Sequence, residues 1–211
     1  MQDAGLDDVR PDVGTYGRYE FDRLLPLPFE MRGDFTWLAA EPMHDNSISD
    51  QKAAENAKSL ERLKKSSARS GVPLPQAFTK FLEKLELPKR IRSNTDCFLD
   101  LCPEPVPSPV GGGYLVRFLA DSQGCVFWYL YLTSDGSDHA VVSSPGFYGA
   151  KAESRQAEPP DPVEIVYVGE SFESFMCRYW LENEIWFAKW KNTPISKAGR
   201  EYIESYRGKR G

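Results

Sequence analysis

Gly111–Leu132 reads GGGYLVRFLADSQGCVFWYLYL. One apolar run, Tyr114–Ala120, meets a second, Cys125–Leu132, across Asp121-Ser122-Gln123-Gly124, and the pattern predicts a β-hairpin. Aromatic and β-branched residues dominate both arms, and Gly124 suits the positive φ of a tight turn. The second arm is apolar on both sides: Val126, Trp128, Leu130 and Leu132 point one way, Cys125, Phe127, Tyr129 and Tyr131 the other. A strand apolar on both faces is covered on both faces, which places the hairpin at the middle of the fold.

Working outward, Ala140–Ser143 and Val163–Val168 read as further strands, and Phe98–Leu101 as a short one. Residues 103–110, PEPVPSPV, carry four prolines and read as an extended connector, or alternatively an SH3-type ligand. Gly146–Pro162 reads as a long polar loop. Phe172–Trp190 is the strongest helix: Ser171 suits its N-cap, Glu170 and Glu173 suit its positive end, and Phe172, Phe175, Met176, Tyr179 and Trp180 recur at helical spacing. Residues 195–206 read as a short amphipathic helix with Ile195, Ala198, Tyr202 and Tyr206 inward.

Before the hairpin, residues 47–70 read as a surface helix capped by Ser47 or Ser49 and ended by Gly71, with a thin stripe of Ala53, Ala57, Leu60 and Leu63. A second helix over 75–87 carries Phe78, Phe81, Leu82 and Leu85 on one face. Residues 1–33 lack periodicity, and Pro26 and Pro28 make Arg23–Phe29 an irregular apolar strap. Residues 35–40 add an edge strand or a helical turn. Strands run consecutively and helices group at the ends, so the class is α+β: a mostly antiparallel central sheet flanked by helices. Three parts follow: an acidic irregular arm over 1–46, an α+β domain over 47–190 and a basic extension over 191–211.

The 211 residues carry a net charge of −5, which argues against a general nucleic-acid binder. Residues 1–50 sum to −7 and residues 189–211 to +5, read as solvated ends of opposite sign. No segment approaches the ~18–20 apolar residues of a membrane span, and MQDAGLDD lacks the apolar region of a signal peptide, so the expected compartment is the cytoplasm. Cys97, Cys102, Cys125 and Cys177 then read as reduced thiols, mostly in apolar runs. They form no CxxC pair, and only His44 and His139 are available besides, so no metal site and no cofactor is expected.

No phosphate loop, nucleophile elbow or HExxH is present. A Cys125–His139 nucleophile is geometrically conceivable, but Cys125 reads as core and His139 as a solvated turn residue. The expectation is therefore no catalytic residue. Aromatics are abundant, and Tyr129 and Tyr131, beside the turn acids Asp121, Asp135 and Asp138, are the candidates for a protein-binding surface: tyrosine anchors ringed by steering charge.

Three segments recur in order in the SUKH (Smi/Knr-like) superfamily: Leu74-Pro75 followed by Phe78 and Phe81-Leu82; Phe118-Leu119-Ala120-Asp121 with Gly124 and Phe127–Leu130; and Val166–Met176, VYVGESFESFM. Over about residues 70–185 the chain resembles that family. It departs where the family commonly has an acidic residue after the turn glycine, here Cys125, and at the end of that strand, here Tyr131. The resemblance implies a single α+β domain without catalysis. Bacterial members are similar to immunity proteins that neutralise polymorphic toxins, often nucleases; eukaryotic relatives resemble regulators that act through protein contacts. The expectation is a cytoplasmic protein-binding module, foremost an immunity protein for a toxin domain. The alternatives are a Smi/Knr-type regulator or scaffold and a small enzyme without a recognisable motif. Oligomeric state is left open.

Overall fold

The computed structural model describes Thr15, residues 24–150 and residues 164–207, excepting the side chains of 206 and 207. In chain order the elements are a 3-10 turn (Thr36–Leu38), α1 (Ala53–Ser70), α2 (Gln76–Glu83), a second 3-10 turn (Pro88–Arg90), β1 (Phe98–Leu99), β2 (Val106–Pro107), β3 (Tyr114–Ala120), β4 (Phe127–Leu132), β5 (His139–Ser144), β6 (Val166–Gly169), α3 (Phe172–Trp190) and α4 (Lys197–Arg207). The fold is α+β. β1 and β2 pair with one edge of β3, and β4, β5 and β6 follow in order, all antiparallel. Among the described residues no helix is long and apolar enough to cross a membrane.

The hairpin sits at the centre of the sheet with both faces covered. Trp128, Leu130 and Leu132 enter the larger core under α2 and α3, with Val126 packed at its edge. Phe127 and Tyr129 enter a second core with Leu115, Ala120, Val142 and Tyr148. Phe118 is an extra residue in β3: Arg117 faces Tyr129 and Leu119 faces Trp128, so the register slips between them. This bulge lets Phe118 and Leu119 both enter the larger core and returns Ala120 to the second. β4 starts at Phe127, not at Cys125 as the apolar run suggested. Gly124 has φ 72°, the chain reverses there, and Cys125 is left exposed in the turn.

Rings interlock under the sheet. Phe172 meets Phe78 at 4.9 Å and Phe118 at 5.1 Å between centroids, edge to face, and Phe35 meets Phe81 at 5.1 Å. Leu25, Phe35, Trp37 and Leu38 from the N-terminal side and Tyr202 and Ile203 of α4 belong to the same buried cluster. Residues 35–40 form the helical turn rather than an edge strand.

α3 has the expected limits, with the Ser171 hydroxyl accepting from the Ser174 N–H at 3.1 Å. Its Glu173, at the positive end of the helix as the sequence suggests, is enclosed. It accepts from the Phe35 N–H at 2.7 Å, the Trp37 indole at 3.2 Å and the Gly33 N–H, so it holds the N-terminal strap. Arg178 pairs with Glu170 at 2.7 Å and donates to the Leu25 carbonyl. Glu182 accepts from the Thr15 N–H and hydroxyl and from Tyr202.

Other expectations shift. α1 starts at Ala53, because the Ser47 and Ser49 hydroxyls bond each other at 2.9 Å and the cap position falls to Lys52. Gly71 ends it with φ 68°. Of its expected stripe only Leu60 and Leu63 are buried; Ala53 and Ala57 are exposed, so the N-terminal half stands off the core. α2 stops at Glu83, where Lys84 leaves helical backbone, so Leu85 points outward and Leu87 takes the inward place. Within the proline-rich connector Val106–Pro107 adds a short strand to β3, an edge position that proline tolerates. The Val163 start of the last strand, most of the 146–162 loop and the Tyr206 side chain lie outside the described residues.

Candidate functional site

A cleft of about 590 Å³ opens between the N-terminal half of α1 and the β3–β4 turn, lined in part by Lys52, Glu55, Phe98, Asp100, Arg117, Asp121, Phe127 and Phe147. β3 supplies Arg117, which lies on the second-core side one residue before the bulge. Its side chain is only 2% exposed. A buried guanidinium needs partners, and Asp100, just past β1, provides one: Nε donates to Oδ2 at 2.9 Å. The other carboxylate oxygen takes Lys52 Nζ at 2.7 Å. Burial pushes the Asp100 carboxyl up, but the two cations outweigh it and hold it below the usual carboxylate range.

Each cation also faces a ring. The Arg117 guanidinium lies 4.2 Å from the Phe147 centroid and Lys52 Nζ lies 5.1 Å from that of Phe98. Asn56 fixes α1 against β1 by donating to the Leu99 carbonyl at 2.7 Å and accepting from the Leu101 N–H at 2.9 Å. The wall is thus tied across α1 and β1, and it presents two cations, three carboxylates (Glu55, Asp100, Asp121) and three phenyl rings. The described residues lining it include no histidine and no cysteine. Among the described residues no cluster of three or more His, Cys, Asp and Glu side chains converges on a common point.

The five residues chosen from sequence do not form one surface. Asp121 lines the cleft, but it is buried and its carboxylate accepts from the Gln123 and Cys125 N–H groups, holding the turn. Tyr129 is fully enclosed: its hydroxyl donates to the Gly146 carbonyl at 2.7 Å and accepts from the Tyr148 N–H at 3.0 Å, and burial pushes its phenol up. It is not an accessible anchor, because the loop after β5 covers it. Tyr131 is half-buried and lies across the glycine run, donating to the Gly111 carbonyl at 2.9 Å. Asp135 and Asp138 are exposed in the β4–β5 turn. Asp135 accepts from Thr133 and Ser137, which hold its carboxyl down to about 2. That turn lies at the far end of β4 from Asp121, roughly 17 Å away at ~3.4 Å per residue.

Sequence reasoning missed Lys52, Phe98, Asp100, Arg117 and Phe147. One signal was present: Arg117 is the sole charge inside the apolar strand YLVRFLA, and an arginine there demands a buried partner. All four cysteines are free thiols. Cys97, Cys102 and Cys177 are buried, whereas Cys125, read as core, is exposed. No protein-family model, curated protein or solved structure matches this chain.

Proposed function

We propose that this protein is a non-catalytic protein-binding module that docks a basic partner over the cleft between α1 and the β3–β4 turn. More finely, it is a cytoplasmic immunity protein that neutralises a toxin domain. The observation that carries the reading is the cleft itself: a recess whose three carboxylates outnumber its two cations, lined besides by three phenyl rings, on a chain of net charge −5. Such walls suit a cationic protein surface, where the rings supply affinity and the acids steer encounter. The resemblance to the SUKH family supports the immunity assignment, because its bacterial members are similar to inhibitors of toxins.

Co-purification of the tagged protein from its native cell, followed by assay of the captured partner, tests this. The expected result is a stoichiometric complex with a basic domain whose toxic activity falls in the presence of the purified protein. Its association slows as salt rises, since exposed charges are screened within ~8 Å at physiological ionic strength. A partner without toxic activity moves the assignment to a regulator. A partner whose binding ignores salt and substitutions in the cleft overturns the docking surface.

A further inference from the structure

We propose that the cleft is a cation socket, and that an arginine side chain of the protein partner enters it in the place that Lys52 occupies here. The inference rests on the reading of a basic partner and names the group that it contributes.

Lys52 is badly placed for its own helix. It stands at the N-cap of α1, where oxygen-bearing side chains are favoured and a positive charge opposes the helix dipole. Its φ is 55°, in the left-handed region that non-glycine residues rarely adopt. What this residue does satisfy is the cleft: Nζ meets Asp100 Oδ1 at 2.7 Å and faces the Phe98 ring at 5.1 Å. Carboxylate below and ring beside make up the binding geometry for a cation, and Lys52 fills it from within the chain.

Arg117 shows that the cleft suits a guanidinium. It pairs with the same carboxylate and stacks on Phe147 at 4.2 Å. The two cations differ in access. Arg117 is sealed at 2% exposure, whereas the Lys52 side chain is 40% exposed. An ion pair that open to water contributes little, so Lys52 exchanges readily for an incoming group. Arginine is the better occupant, because its planar fork grips a carboxylate and stacks on a ring at once, which an ammonium does not. A cleft of about 590 Å³ admits that side chain with its flanking backbone. Glu55, on the first turn of α1, lines the same recess, makes no ion pair among the described residues, and adds to the pull.

The test uses the full chain and acetyl-arginine amide as probe, with affinity and perturbed residues read by NMR titration. Lys52→Gly removes the internal cation and fits a φ of 55°, so this variant keeps the fold. Freed of its competitor, the socket binds the probe about fivefold or more tighter than the wild type. The perturbed amides cluster at Phe98, Asp100 and Phe147. Phe98→Leu in the Lys52→Gly background keeps the apolar volume, removes the ring face and reverses most of the gain. Equal affinity of the wild type and a folded Lys52→Gly variant, or shifts confined to other surfaces, overturns the socket. The probe requires no natural partner. Failure to find a toxin therefore leaves this result standing, and a toxin complex insensitive to Lys52→Gly and Phe98→Leu rejects the socket while keeping the binding function.

Discussion

Trp128 donates its indole N–H to the Thr15 carbonyl at 2.7 Å, across 113 residues of chain. The largest buried ring of the central strand thereby also ties down the N-terminal side. Trp128→Ala loses both the buried ring and this bond, and is expected to cost ~3–5 kcal/mol. Denaturant unfolding followed by circular dichroism checks this; an unchanged midpoint would contradict the central position of β4.

Glu173→Ala strands two backbone N–H groups and an indole N–H inside the protein. Each orphaned donor costs about 1–3 kcal/mol, so the variant is expected to lose ~3 kcal/mol or more. Glu173→Gln retains one acceptor oxygen and loses less. A smaller loss for alanine than for glutamine would show that the carboxylate does not organise the strap.

Glu182 governs a pH dependence. Burial pushes its carboxyl up to about 7 from an ordinary 4.5, against the hydrogen bonds from Thr15 and Tyr202 and the nearby Arg178. The folded state then holds a proton that the unfolded chain has released. Stability from this group is complete below about 4.5 and is lost as pH rises through about 7. The span corresponds to a loss on the order of 3 kcal/mol. His44 and His139, whose burial pushes their imidazoles down, act in the opposite sense over the same range, so the contribution of Glu182 is read by difference: from pH 5 to pH 8 the wild type is expected to lose stability relative to Glu182→Gln. A difference between the two proteins that stays constant over this interval refutes the assignment.

The thiols divide by access. Cys125 is exposed in the hairpin turn, while Cys97, Cys102 and Cys177 are buried, and burial pushes the Cys177 thiol up. A thiol reagent is expected to label one cysteine promptly in the native protein and the other three only after unfolding. Cys125→Ser abolishes the prompt label.

Asp121 and Asp138 separate a structural acid from a surface one. Asp121→Lys removes the acceptor that holds Gln123 and Cys125, and is expected to lower stability by ~1–3 kcal/mol. Asp138→Lys, in the exposed far turn, is expected to stay within ~0.5 kcal/mol of the wild type. Thermal melts of the two reversals check the contrast.

Periodicity made the hairpin and α3 readable, because a run apolar on both faces along β4 and the aromatic stripe of Phe172–Trp190 are properties of neighbouring residues. The buried charges were not readable. Glu173, Arg178 and Glu182 sit among helix residues whose letters are the same on a wet face or a dry one; only the strap, α4 and Thr15 around them decide. Leu85 continued the α2 stripe in sequence but fell beyond a helix that ended two residues earlier. The cleft was hidden for a further reason. Lys52, Asp100, Arg117 and Phe147 come from four separate segments, and their meeting depends on β1 joining the edge of β3. Cys125 was misplaced because an apolar run does not show where a turn ends.

The grip of Glu173 on Trp37 spans 136 residues, and it has a consequence during synthesis. At ~5–20 residues per second the ribosome needs on the order of ten seconds to pass from one to the other. Through that interval Phe35, Trp37 and Leu38 have left the translation machinery without the helix that covers them. Glu30, Asp34 and Glu41 flank this stretch. Charges bordering an uncovered apolar segment keep nascent chains from adhering to one another. The acids of the early chain thus act as gatekeepers until the last long helix emerges and the fold closes around it.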